Sequence, residues 1–326
     1  MKNWINRLRG GSDNTDATSP AAPASAAAEQ EDDQPGGMIA EIEAAYYRLL
    51  TGAAGYDAPA ATENQILDQL RALAQNPASA AELVPRVPEV IPQLLRSLHD
   101  EASNADLARQ VAQDVVLVAE VIREANSAYY RPMSPVKTVE AALLMLGQNG
   151  LRMLLARVAF RPIIKLQATG FTRVAAPQVW NQSEKCALAA SLMAPGLTAG
   201  AFEAYLAGLM QNLGLVVGFR LSDRLCEDGK VPGSSDFGLQ LLAAGRQLSA
   251  AIATHWDFPQ SVAEAIAHAG DPGDANLAQA LALGDRIAKL RLLIDAHVVD
   301  EDDDYVTDGL DNFQRRCLGK LSNVET

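Results

Sequence analysis

At 326 residues the chain exceeds the roughly 100–200 residues of a usual domain, so one large unit with appendages, or two units, is expected. With 48% hydrophobic, 21% charged and only 5% aromatic residues, it has the composition of a globular protein that favours helix over sheet. A formal charge of -13 repels phosphate backbones and argues against general nucleic-acid binding, unless a local basic patch overcomes that field.

In chain order, "MKNWINRLRG" sets Trp4, Ile5 and Leu8 at helical spacing beside Lys2, Arg7 and Arg9. Such a segment is a candidate for peripheral contact of residues 1–10 with a partner or an anionic membrane, the plainer reading being a frayed terminus. Polar residues follow where a signal peptide would need an apolar stretch, and no apolar run is expected to reach the ~20 residues of a membrane span. Gly11 to Gly37 is rich in Ser, Ala, Pro and acidic groups, with almost nothing large to bury, so residues 1–37 read as a disordered tail. A cytoplasmic location is the expectation.

Helical periodicity begins with "MIAEIEAAYYRLL" (Met38–Leu50) and resumes in "ENQILDQLRALAQ" (Glu63–Gln75), giving an N-terminal helical extension over 38–82. Pro85, Pro88 and Pro92 then restrict the chain, which places a boundary near Leu83. Ser103 or Asn104 can cap a helix through Leu107 and Val111, and "VVLVAEVIREANSAYY" continues as an apolar helix. "TVEAALLMLG" and "GLRMLLARVAF" meet at Gly147 and Gly150 as antiparallel neighbours. Longer patterns follow at 177–194, 200–225, 236–256, 259–269 and 276–294. No segment alternates with period two between hairpin turns, so the fold class is all-α. The main body spans 83–294, and over 295–326 the acidic run "DEDDDY" is expected to separate a short C-terminal helix from it.

Few residues suggest chemistry. Cys186, Cys226 and Cys317 form no C-x-x-C, and His99, His255, His268 and His297 never fall in H-x-x-x-H spacing. "GKVPGSSDFG" lacks the order of a phosphate loop and reads as a plain connection, and no serine sits in a G-x-S-x-G elbow. Arg152, Arg157, Arg161 and Lys165 form the best basic series, and such a series is most simply a solvated helix face.

The ordered series "LVPRVPEVIPQLLRSL", "ANSAYY", "SPVKTVEAALLMLG", "VWNQSEKCALAASLMA", "AYLAGLMQNLG" and "HWDFPQSVAEAIAHAGDP" resembles the HD-related output domain (HDOD) family of bacterial signalling proteins. The resemblance runs from about Leu83 to about Ile294 and implies a multi-helical bundle related to metal-dependent HD phosphohydrolases. By motif, the metal-holding histidine and His-Asp positions of those enzymes fall at about Gln182, at Gln211 and Asn212, at about Gly245 and at Asp285. A further one falls near Ala269, with His268 next door. Amide oxygens are neutral and weaker donors than imidazole or carboxylate, so neither a metal, a cofactor nor a catalytic residue is expected. Asp285 is then a leftover that serves in a local ion pair or as a helix cap.

Asn126 and Ser127 can end a helix by bonding local backbone, while Tyr129 and Tyr130 offer aromatic surface for packing or partner contact. The resemblance implies a non-catalytic interaction or output module that engages signalling proteins, in pathways often linked to cyclic-di-GMP. Two alternatives stay open: a receptor for a nucleotide or second messenger in the vacated pocket, and a residual phosphohydrolase using Asp285 and His268.

Overall fold

The computed structural model describes residues 35–80, 109, 111–112, 115–127, 132–165, 169–227 and 229–322. The tail before residue 35, the boundary near Leu83, the Ser103/Asn104 helix start, and Tyr129 and Tyr130 lie outside the described residues. The rest is all-α, as α1 (Pro35–Thr51), α2 (Ala60–Gln75), α3 (Val115–Ala125), α4 (Val139–Lys165), α5 (Gly170–Met193), α6 (Ala201–Met210), α7 (Leu213–Leu225), α8 (Ser235–His255), α9 (Gln260–His268), α10 (Asn276–Asp295), α11 (Asp304–Thr307) and α12 (Asn312–Leu321). Among the described residues the extended structure is a two-residue parallel pairing, β1 (Gly55–Tyr56) with β2 (Val231–Pro232). The stretch read as a plain connection therefore supplies β2, and the Tyr47 hydroxyl ties it down by donating to the Pro232 carbonyl at 2.5 Å.

Helix α5 is the axis of the fold, packed against α4, α6, α7 and α10. It starts at Gly170, seven residues before the Pro177 that the sequence suggests as its beginning. Proline inside a helix removes a backbone bond. Here the early turn is held from outside, because Asp223 of α7 accepts the backbone N–H groups of Phe171 at 2.7 Å and Thr172 at 3.1 Å. Small residues let the neighbours approach: a Cβ on Gly208 would stand 2.4 Å from the Ala187 Cα, and one on Gly284 would stand 2.6 Å from the Ala190 N. The join in α4 is a break at Gly147, whose φ of 67° is open to glycine at little cost.

The two extension helices share the main core. Tyr46, Tyr47, Leu50, Ile66, Leu67 and Leu70 are buried in one cluster with Trp180, Leu206 and Leu241, as α1 and α2 pack on α8. The C-terminal helix does not stand apart either: Cys317, Leu318 and Leu321 of α12 bury against Ile287, Ile294 and Ile42. Burial of those three side chains outweighs the repulsion of the acidic run, which needs only to form the loop before it.

Two readings of the sequence change. Ala201–Leu225 is long and apolar enough to pass for a membrane span, yet nearly all of it is buried inside the fold as α6 and α7. The basic series is not a solvated face at Arg152 and Arg157, since Arg152 is 9% exposed. Arg157 is paired with Glu124 of α3 and Glu184 of α5. Those two carboxylates, added to the burial that acts against its charge, hold the guanidinium in its charged form.

Candidate functional site

The stretch 200–225 is two helices, because the amide pair Gln211 and Asn212 forms the turn between them. Both side chains are buried, and both point into a polar hub assembled from α5, the α6–α7 turn and α10. Gln211 donates from Nε2 to Asp285 Oδ1 at 2.9 Å and to Cys186 Sγ at 2.9 Å. Gln182 of α5 donates to the same Asp285 oxygen at 2.6 Å. Asn212 donates to Gln182 Oε1 and to Ser183 Oγ, the latter at 3.0 Å. Four positions predicted from the sequence are thus brought into one hydrogen-bonded group.

Both oxygens of the carboxylate at its centre are engaged. Asp285 Oδ1 takes the two amide donors, and Oδ2 accepts the Lys289 ammonium one helical turn along α10 at 2.6 Å. Lys289 is 3% exposed at its side chain, also reaches Glu43 Oε1 of α1 at 3.1 Å, and lies over the Tyr46 ring at 5.5 Å. Arg246 of α8 binds the same Glu43 oxygen at 2.7 Å. Asp285, Lys289, Glu43 and Arg246 form one chain of alternating charges that links α10, α1 and α8.

Burial alone would raise the Glu43 carboxyl, but Lys289 and Arg246 beside it bring the group down to about 2. A depressed folded value means that this stability is present above the unfolded carboxylate range near 4.5 and is lost as pH falls through that range towards 2. Full-length protein is therefore expected to lose roughly 3 kcal/mol more than a Glu43→Gln variant between pH 5 and pH 2. Urea unfolding of both chains across that window tests it, and parallel acid profiles would remove Glu43 from the account.

The remaining predicted positions divide. Gly245 has no side chain to contribute, and its carbonyl lies against Gly214 at the start of α7. Ser249, one turn further on, clasps this contact: its single hydroxyl proton is shared between the Gln211 and Gly245 carbonyls at 2.7 and 2.9 Å, and its Oγ accepts the Gly214 N–H at 2.8 Å. His268 is not brought to the hub. It is exposed and lines a separate groove of about 920 Å³ with Arg71, Gln240 and Glu264. Ala269, one residue on, lines a cavity with Asp285. A helical residue turns about 100° from its neighbour, so a histidine one place early faces the wrong way.

Asn126 ends α3 as expected and does more: it donates to the Ile122 carbonyl at 2.7 Å and grips Val136 at both its carbonyl and its N–H, each at 2.8 Å. The side chain closes the α3–α4 connection as a second strand of backbone would. Ser127 Oγ is buried with no hydrogen-bond partner among the described residues.

The sequence reading misses Lys289, Glu43 and Arg246. The signal available was the i, i+4 spacing of Asp285 and Lys289 on α10. Glu43 lies on an extension helix that the family pattern does not cover.

The hub does not fit a divalent cation. Three of its four side chains are neutral amides, the carboxylate oxygens are already engaged, and an ammonium sits against the only charged ligand position. Among the described residues no group of three His, Cys, Asp or Glu side chains could hold a metal ion.

The HDOD domain family model matches residues 84–272, more than half of the chain. The chain belongs to the HDOD domain family. Three solved structures share the fold. An HDOD domain protein of unknown function from Geobacter sulfurreducens is 20% identical, with a TM-score of 0.55 over 78% of this chain and 94% of that one. A candidate metal-dependent phosphohydrolase from Shewanella amazonensis SB2B is 18% identical, with a TM-score of 0.55 over 80% and 99%. A candidate signal transduction protein from Marinobacter aquaeolei VT8 is 22% identical, with a TM-score of 0.51 over 89% and 64%. A curated relative, an uncharacterized protein of Treponema pallidum (strain Nichols), is 26% identical over 62% of this chain, which spans 40% of that protein's length.

Proposed function

We propose that this HDOD protein is a non-catalytic signalling module that works in the cytoplasm by engaging protein partners. The observation that carries the reading is the closed state of Asp285, whose carboxylate is held by two amides and one ammonium. A hydrolase of the HD type needs a cation to lower the pKa of its water, and that requires imidazole or carboxylate ligands free to face it. In this hub the positive charge is built into the chain as Lys289. The signal-transduction description of the Marinobacter protein agrees with such a role, and the phosphohydrolase description of the Shewanella protein is the competing reading. Cyclic-di-GMP pathways, which the family resemblance implies, are the first place to look for partners.

The purified full-length chain is expected to carry substoichiometric Mn, Fe, Ni and Zn by elemental analysis. It is also expected to leave a phosphodiester such as bis(p-nitrophenyl) phosphate unhydrolysed in excess Mn²⁺. Stoichiometric metal, or turnover that disappears in an Asp285→Asn variant, would replace this proposal with the enzyme. Pull-down with the full chain, and with a chain lacking residues 1–37, is expected to return the same partner set, and loss of partners on truncation would assign docking to the tail instead of the helical body.

A further inference from the structure

Beside the hub lies a cavity of about 310 Å³, walled by α1, α8, α10 and the α9–α10 connection. That volume is at the lower end of the range for small-molecule sites. One side is apolar, with Ile39, Ile42 and Leu283; the other carries Glu43, Arg246, Asp285, Arg286 and Lys289. The charges on that wall do not balance. Arg246 and Lys289 are matched by Glu43 and Asp285 through the bonds described above, which leaves Arg286 as a third cation.

Arg286 has no acidic partner among the described residues. Its Nε is buried with no hydrogen-bond partner, and its Nη2 meets only the Met38 sulfur at 3.1 Å, a weak acceptor. Burial lowers its pKa with no opposing charge to raise it, the reverse of Arg246, where Glu43 and Asp285 together more than offset burial. A guanidinium has five donors in a planar fork matched to the paired oxygens of phosphate and carboxylate. Arg286 is half-buried, and leaving its enclosed Nε without an acceptor is costly, a cost that an incoming anion would relieve.

We infer that this cavity is a binding site for a small organic anion, with one phosphate or carboxylate group on Arg286 and a compact apolar portion against Ile39, Ile42 and Leu283. The site is independent of partner docking, so either can fail while the other stands. Because the ligand would touch α1, α8 and α10 together, its occupancy would brace α1 on the body. Ligands that select the native state raise its apparent stability with concentration.

The test is thermal unfolding of the full-length protein titrated with AMP, inorganic phosphate and hexanoate, each against sodium chloride at matched ionic strength. At least one of the three is expected to raise Tm by several degrees in a saturable way, and the one that saturates first identifies the head group. Arg286→Gln is expected to flatten that titration, and Arg286→Lys to retain part of it, since lysine keeps the charge and loses the fork. Leu283→Trp leaves every charge in place and fills the cavity, so it is expected to abolish the response even if the arginine variants fold poorly. Responses no larger than that of chloride, or titrations unchanged in Leu283→Trp, would overturn the inference.

Discussion

Replacing Lys289 by methionine is expected to cost about 3–5 kcal/mol of stability, the loss typical when one member of a buried ion pair is removed. Methionine nearly matches the lysine stem in length, so the loss reports charge rather than a cavity. Asp285 keeps its two amide donors but loses the ammonium on Oδ2, while Glu43 retains Arg246. The excess negative charge at Asp285 is therefore the main damage. Adding Asp285→Asn to Lys289→Met removes that charge and keeps an acceptor for Gln182 and Gln211. The double variant is accordingly expected to recover about 1–3 kcal/mol of the loss, a coupling of the size seen for residues in direct contact. Lys230→Met is the control, because its pair with Glu227 is solvent-exposed and worth at most about 1 kcal/mol. Urea midpoints for the four chains decide the matter. A Lys289→Met cost no larger than the Lys230→Met cost would mean that the hub does not depend on its internal cation.

The sequence makes the fold class legible because helical periodicity is a local property: α8, α9 and α10 begin and end within a few residues of where their apolar spacing and caps place them. It does less well where a distant group decides. Helix α5 runs through Pro177 because Asp223, about fifty residues away, holds its first turn. The break after Met210 is invisible to periodicity, since apolar spacing continues on both sides and the turn is fixed by amides bonding to α5 and α10. In the site, the family motif places Gln182, Gln211, Asn212 and Asp285, and the structure joins them. It cannot supply Glu43 or Arg246, whose role exists only once α1 and α8 have packed beside α10. The single-residue offset of His268 from Ala269 is legible in the sequence, but its consequence depends on which face of α9 turns inward.

Gly214→Ala is expected to destabilise the protein by about 3 kcal/mol or more, at the top of the range for overpacked sites. Its Cβ would stand 2.1 Å from the Gly245 carbonyl oxygen and 2.9 Å from the carbonyl carbon, both backbone atoms that no rotamer change can move. Relief requires α7 and α8 to separate, and Ser249 ties them at this point through Gln211, Gly245 and Gly214. The damage therefore reaches the amide turn and loosens the hub. Gly319→Ala is the informative contrast: it lies in α12 with nothing within 4 Å of the added methyl, and it is expected to stabilise by about 0.5–1 kcal/mol. The same contact also works against a histidine at position 245. A side chain at Gly245 would bring its Cβ to 3.0 Å from the Leu215 N, so Gly245→His must first push apart the helices that the glycine pair allows to touch. Urea unfolding of Gly245→His is expected to show a loss of at least about 1–3 kcal/mol, against a gain if the added imidazole found a ligand position. An unchanged midpoint for both Gly214→Ala and Gly245→His would mean that α7 and α8 are not locked together at this contact.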